Sequence, residues 1–240
     1  LIGGMWIMNL SYWGFNQYII QRTLAAKSVQ EAQKGIAFAA FLKLLMPLIV
    51  VLPGIAAVLI VPDLAKPDQA YPSLMTLMPV GLKGIIFAAL VAAIVSSLAS
   101  MTNSVSTIFT MDLYKDKRPN ESQQHYVKVG RIVSLVALII AMVVAKPLLG
   151  NFDQAFQYIQ EFTGFFTPGI CALFVLGMFW KKTTANGGLL AALGSFVLSI
   201  VFRQFWPELP FIDRVGLVFL LCVALAVVVS LLEKKGVSEN

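Results

Sequence analysis

The sequence predicts an all-α integral membrane protein, and three observations carry that expectation. Of its 240 residues, 58% are hydrophobic and only 12% charged, against about 25% charged in an average soluble domain. Apolar runs long enough to cross a bilayer recur along the chain, without the polar–apolar alternation of barrel strands. The basic residues gather in alternate loops rather than on one face. Together these exclude a soluble enzyme, a nucleic-acid module and a disordered chain, because so few charges cannot hold that much apolar surface in water.

A spanning helix needs about 20 mostly apolar residues. Stretches 1–20, 36–61, 80–111, 127–145, 152–180, 187–205 and 215–232 each qualify, so seven spans are expected. Several exceed a straight crossing, and tilt accommodates the surplus. The loops are short. The longest, 62–79 and 112–126, carry Pro67 and Pro119 as turn punctuation. Placing the first loop in the cytoplasm puts Arg22, Lys27 and Lys34 there, with Lys115, Lys117, Arg118, Lys128 and Arg131, then Lys181, Lys182, Lys234 and Lys235. Lys66, Lys83, Lys146, Arg203 and Arg214 fall outside. The positive-inside rule therefore starts residue 1 outside and ends the chain in the cytoplasm, and the net charge of +6 is topological. Cys171 and Cys222 sit in apolar runs far apart, without the cluster that a metal needs. Because Leu1 already lies in a membrane-like run with no basic segment or cleavage site before it, the chain reads as a fragment whose preceding half is missing.

Polar residues at membrane depth are the informative ones, since an unpaired polar group there costs several kcal/mol. The first stretch carries Asn9, Tyr12, Trp13, Asn16, Gln17 and Tyr18 around Gly14. Amides and rings around a glycine suit a broken helix lining a cavity, while an interfacial aromatic belt is the alternative, above all for Tyr18. Lys43 stands among apolar residues, where a charge costs about 2.5–3.5 kcal/mol on insertion scales. It either faces a partner or cavity, or snorkels to the interface. In the third stretch Ala93, Ser96 and Ser97 stand at i, i+3 and i+4, placing a carbonyl and two hydroxyls on one helix face. Such oxygens suit Na⁺; close packing of small residues is the alternative. In the fifth stretch Gln157, Gln160 and Glu161 precede Gly164, Pro168 and Gly169, which predict a kink. Gln160 either reaches the same cavity or sits in the interface. His125 reads as a solvated loop side chain. No catalytic motif and no intramembrane carboxylate pair accompanies these residues, so binding and translocation remain.

Three strings are specific: YWGFNQYIIQRTLAAKS from Tyr12, AAIVSSLASMTNSVSTIFTMDLY from Ala92, and GMFWKKTTANGGLLAALGSF from Gly177. They resemble the solute:sodium symporter family, in its bacterial sodium/glucose and sodium/galactose branch, and the similarity runs over essentially the whole chain. The resemblance implies a LeuT-like inverted-repeat fold. Residues 1–180 would then form the second five-helix repeat, and 181–240 two peripheral helices and a cytoplasmic tail, the first repeat being absent. It implies a sodium site at the Ala93 carbonyl and the Ser96 and Ser97 hydroxyls. It implies sugar contacts at Asn9, Lys43 and Gln160, Tyr12 as a gate ring stacked on the pyranose, and Trp13 and Phe156 at neighbouring apolar positions. Ser11 departs from the second tyrosine expected beside the gate, and the 62–79 loop is shorter than in those relatives.

The function implied by the resemblance is symport, with Na⁺ as coupling ion and a monosaccharide and the lipid bilayer as partners, by a multi-pass protein of a bacterial cytoplasmic membrane. A symporter for an amino acid, carboxylate or vitamin is the alternative within transport. The membrane module of a sensor protein is the alternative outside it.

Overall fold

The computed structural model describes residues 3–61, 64–149 and 155–238. Every regular element among them is helical. Among the described residues, five helices are long and apolar enough to cross a membrane, and a bent pair makes a sixth crossing if it counts as one span. The seventh expected span, 1–20, does not qualify as a straight helix. It divides into α1 (Gly4–Phe15) and α2 (Gln17–Leu24), because Asn16 leaves the helical region with φ −86° and ψ 118°. Twelve residues of helix reach only about 18 Å. The break expected around Gly14 therefore falls two residues later, at an amide.

The chain folds as two compact units, residues 1–20 with 156–240, and residues 21–155. In the first unit, α9 (Ala155–Gly164) and α10 (Thr167–Phe179) form the bent pair, at 45°. The kink predicted from Pro168 and Gly169 is present but lies just before them. Pro168 stands in the first turn of α10, where a missing N–H costs nothing. The bend itself is made by Phe165 and Phe166, whose amides donate to the Phe162 and Thr163 carbonyls at 3.2 and 3.1 Å in tighter turns. Ser195 donates its hydroxyl to the Phe165 carbonyl at 2.8 Å in a buried bond. This gives the bend a fixed partner on α11 (Ala185–Phe205).

The same unit is interlocked by small residues. Gly169 lies so close to α11 that a Cβ there would fall 2.6 Å from the Ser195 Cβ. Gly4 of α1 abuts the Ile212 backbone of α12 (Phe211–Ser238), and Gly216 faces Gly4. Glycine at such crossings lets backbones approach where lipid offers no hydrophobic force between helices. Ala172, Ala191, Val218, Cys222 and Ala226 are fully buried at the centre, and both cysteines are free thiols. Thr184 caps α11 by accepting from the Gly187 amide at 3.2 Å, and Ser230 of α12 accepts from the Thr184 amide at 3.1 Å.

In the second unit, Ser28 accepts from the Glu31 amide at 3.2 Å to start α3 (Val29–Leu44), the first half of a capping box. The span thus begins seven residues earlier than apolarity alone indicates. With α4 (Met46–Ile60), joined through Leu45, it forms one crossing of 32 residues. At 1.5 Å per residue this is about 48 Å, so its Gln- and Glu-bearing first turns extend past an apolar layer of about 30 Å. A short α5 (Ala70–Thr76) leads to α6 (Val80–Thr107), which widens into a π segment at Ile108–Tyr114 and ends in α7 (Lys115–Lys117). α8 (Gln123–Leu149) packs against α6. There the Ser106 hydroxyl donates to the Gly130 carbonyl at 2.8 Å. The side chains of Lys146, Lys234 and Lys235, used above to orient the chain, lie outside those described.

Candidate functional site

Three of the predicted sugar contacts lie on α1. The Tyr12 hydroxyl accepts from Tyr18 at 2.7 Å across the Asn16 break, so the two halves of the broken helix are pinned by a phenol pair. The rings of Tyr12 and Trp13 meet edge-on with centroids 5.4 Å apart, and those of Tyr12 and Tyr18 at 6.0 Å. This edge-to-face cluster holds each ring by its quadrupole. Tyr12 and Trp13 remain about two-fifths exposed. Asn9 donates to its own helix, at the Met5 carbonyl, 2.9 Å. That bond uses one of the two amide N–H donors of Asn9. Phe15 stacks on Phe174 of α10, centroids 4.8 Å apart and planes within 6°, which fixes the end of α1 just before the break.

Phe156 and Gln160 lie on α9 in the same unit, Phe156 exposed and Gln160 half-buried. One turn divides them, so they share a helix face. Next to Gln160, Glu161 accepts from Arg214 of α12 at 2.9 Å and pairs with Arg203 of α11 at 3.7 Å. Both guanidinium groups lie over the Phe165 ring, 5.9 Å away for Arg203 and 5.6 Å for Arg214. Arg214 is buried, so its charge is compensated by the carboxylate and the ring face.

The second unit carries Lys43, in the last turn of α3, and Ala93, Ser96 and Ser97, exposed along α6. The Ser96 carbonyl accepts from the Ser100 hydroxyl at 2.9 Å. Ser100 in turn takes a bond from the Arg22 guanidinium on its hydroxyl, and one from the Gln21 amide at 3.4 Å on its carbonyl. One turn beyond the predicted cation face, α6 is therefore tied to the end of α2. Lys43 is an α3 residue of this unit, whereas the other five predicted sugar contacts belong to the first.

His125 is not the free loop side chain expected. α8 begins at Gln123, which places His125 in a helical first turn. Its Nε2 lies 2.8 Å from the Tyr114 hydroxyl, and the two rings stack with centroids 5.8 Å apart. The helix runs past the apolar stretch into polar residues, which the apolar boundary at 127 could not reveal. Sequence reasoning also missed the Glu161–Arg203–Arg214 cluster, although the loop order had put both arginines on one side. Their common side was the available signal; their pairing needed the packing of α9 on α12, where Gly164 meets Val215.

A helical chain with a broken first span and a bent later one, each carrying polar and aromatic side chains at depth, has the build of a membrane transporter. Residues 2–194 match the model described as "SSF: Sodium:solute symporter family", and the chain belongs to that family. It is 56% identical over 233 residues to the "Sodium/glucose cotransporter" of Vibrio parahaemolyticus, covering 89% of this chain and 42% of that protein. It is 38% identical over 232 residues to the "Sodium/myo-inositol cotransporter 2" of Sus scrofa, 85% of this chain and 34% of that one. The human protein of the same description is 38% identical over 229 residues, 84% and 34%. The chain thus spans less than half the length of the curated relatives it matches.

Proposed function

We propose that this chain supplies the second repeat, residues 1–180, and the two following helices, 181–240, of a LeuT-like symporter that carries a monosaccharide inward with Na⁺. The observation that carries the proposal is the 56% identity, over 89% of the chain, to a protein named as a sodium/glucose cotransporter. The pinned break at Tyr12–Tyr18 supports it, because a gate needs a helix already interrupted and a bond cheap enough to open. Asn9, Lys43 and Gln160 would hydrogen-bond sugar hydroxyls, Tyr12 would cover the ring, and Trp13 and Phe156 would offer apolar faces to its C–H edges.

Na⁺ would bind the Ala93 carbonyl and the Ser96 and Ser97 hydroxyls, with further oxygens from the rest of the full-length protein. Coupling is linkage: the ion biases the outward-open, sugar-competent state by no more than its differential affinity for the two states. We place the protein in a bacterial cytoplasmic membrane, with α1 entering from outside. A cyclic polyol such as myo-inositol is the second substrate to try, since relatives at 38% identity bear that name. It offers the same ring of hydroxyls without a ring oxygen.

The test is uptake of labelled galactose, glucose and myo-inositol into liposomes containing the full-length protein, under an inward Na⁺ gradient and against a K⁺ control. Sodium-dependent uptake of one of these, lost in Lys43→Ala while the variant still inserts, is the expected result. Uptake indifferent to Na⁺, or retained in full by Lys43→Ala, would overturn the proposal.

A further inference from the structure

We infer that Glu161, clamped between Arg214 and Arg203, is a positioning residue that sets the angle of α9 and through it the presentation of Gln160 to substrate. The inference rests on the sugar contact proposed for Gln160. α9 is a ten-residue helix separated from α10 by the 45° bend. Its C-terminal end is fixed, since Gly164 is buried against Val215 and the Phe165 carbonyl is held by Ser195. Upstream of that anchor, Ile159 and Phe162 are exposed, as are Phe156 and Gln157. Apolar packing therefore holds little of this helix, and a short lever on a bent joint takes its angle from whatever polar tie it has.

Glu161 is that tie. Its carboxylate is 2.9 Å from the buried Arg214 at the head of α12 and 3.7 Å from Arg203 at the tail of α11. Both arginines also lie over Phe165, the residue at the joint. One carboxylate thus binds the lever to two helices whose crossing is locked by Gly187 against Ser230 and Ala226. Gln160 is the adjacent residue, about 100° around the helix, so any swing that lengthens the Glu161 bond moves the Gln160 amide with it. Arg214 cannot leave its carboxylate without becoming an unpaired buried charge, so a swing of α9 away from it is costly.

Two readouts test this in the full-length transporter: sodium-driven sugar uptake, and the distance distribution between nitroxide labels at Gln157 and Leu220, both exposed positions of the first unit. Glu161→Gln is expected to broaden the distribution and to raise the half-saturating sugar concentration roughly ten- to a hundredfold. That is the range set by losing one charge-assisted hydrogen bond. Half-saturating Na⁺, measured at saturating sugar, should not move. Glu161→Asp should fall between, and the exchange Glu161→Arg with Arg214→Glu should recover part of the loss that either single change causes. An unchanged distance distribution in Glu161→Gln, or an exchange no better than its single changes, overturns the clamp. A broadened distribution with sugar affinity unchanged in Glu161→Gln but weakened in Gln160→Ala overturns the positioning role. Unchanged affinity in both variants with a broadened distribution supports the clamp and overturns the sugar contact at Gln160 instead.

Discussion

The two units satisfy their polar and apolar surfaces in opposite ways. In the first, Ala185–Phe205 and Phe211–Glu233 each bury 28% of their most apolar window inside the chain. In the second, Val29–Ile60, Val80–Lys117 and Gln123–Ala145 bury 0%, 6% and 0%. The first unit closes on itself through glycines at helix crossings, a buried serine on the bent joint and a carboxylate between two arginines. The second presents long helices whose faces are open, the predicted cation face of α6 among them. Close helix crossings are therefore concentrated in the first unit. Substitutions at its glycine crossings should be felt as folding, and those on the open face of the second as transport.

Gly169→Leu gives the largest effect of the first kind. Even a Cβ there falls 2.6 Å from Ser195 Cβ and 2.9 Å from Ala192 Cα, and both are parts of a helix that cannot swing aside like a side-chain tip. Overpacking of this sort costs about 1–3 kcal/mol and more where backbone must shift, so thermal unfolding in detergent should drop by many degrees or the protein should fail to accumulate. Gly84→Leu in α6 is the matched control, since nothing lies within 4 Å of a Cβ there. Equal losses from both changes would erase the contrast between the units.

The sequence made the first unit's helices legible but not its bonds. Apolar runs located α11 and α12, and Pro168 announced a kink, because burial and ring chemistry act locally. Glu161, Arg203 and Arg214 are distant in sequence, and nothing in their spacing says that they meet. Asn16 was visible as one of several polar residues, yet the break was expected around Gly14. Glycine permits a break, but permission does not decide where the chain leaves the helical region. The proposed cation face of α6 differs in the opposite sense. Its i, i+3, i+4 spacing is local and survives in the helix, whereas any oxygens completing it would come from other segments, on which α6 carries no signal.

Ser97→Ala is the matching change in the second unit. Ser97 is exposed on α6, so the melting temperature should stay where it is. Half-saturating Na⁺ for uptake should rise about ten- to a hundredfold, the equivalent of one lost oxygen ligand. Sodium activation unchanged in this variant would remove Ser97 from the ion site. A large fall in melting temperature would instead assign it to packing and blur the division between the units.

The smallest effect should have the reverse sign, and it comes from the π segment. Along α6 the hydroxyls of Ser100, Thr102 and Thr107 all donate to the carbonyl four residues back, at 2.9, 2.7 and 2.8 Å. Thr110 lies in the wider turn of the π segment, and its buried hydroxyl has no partner among the described residues. A buried hydroxyl without a partner costs about 1–3 kcal/mol. Thr110→Val keeps the branched shape, removes the orphan oxygen and should raise the melting temperature slightly. The Ser106–Gly130 bond alongside is expected to hold α8 in place as before. Should Thr110→Val melt lower than the parent, the hydroxyl has a bound water as its partner. The second unit would then contain a satisfied polar core of its own at the π segment, and the contrast drawn from its open helices would stop short of Thr110.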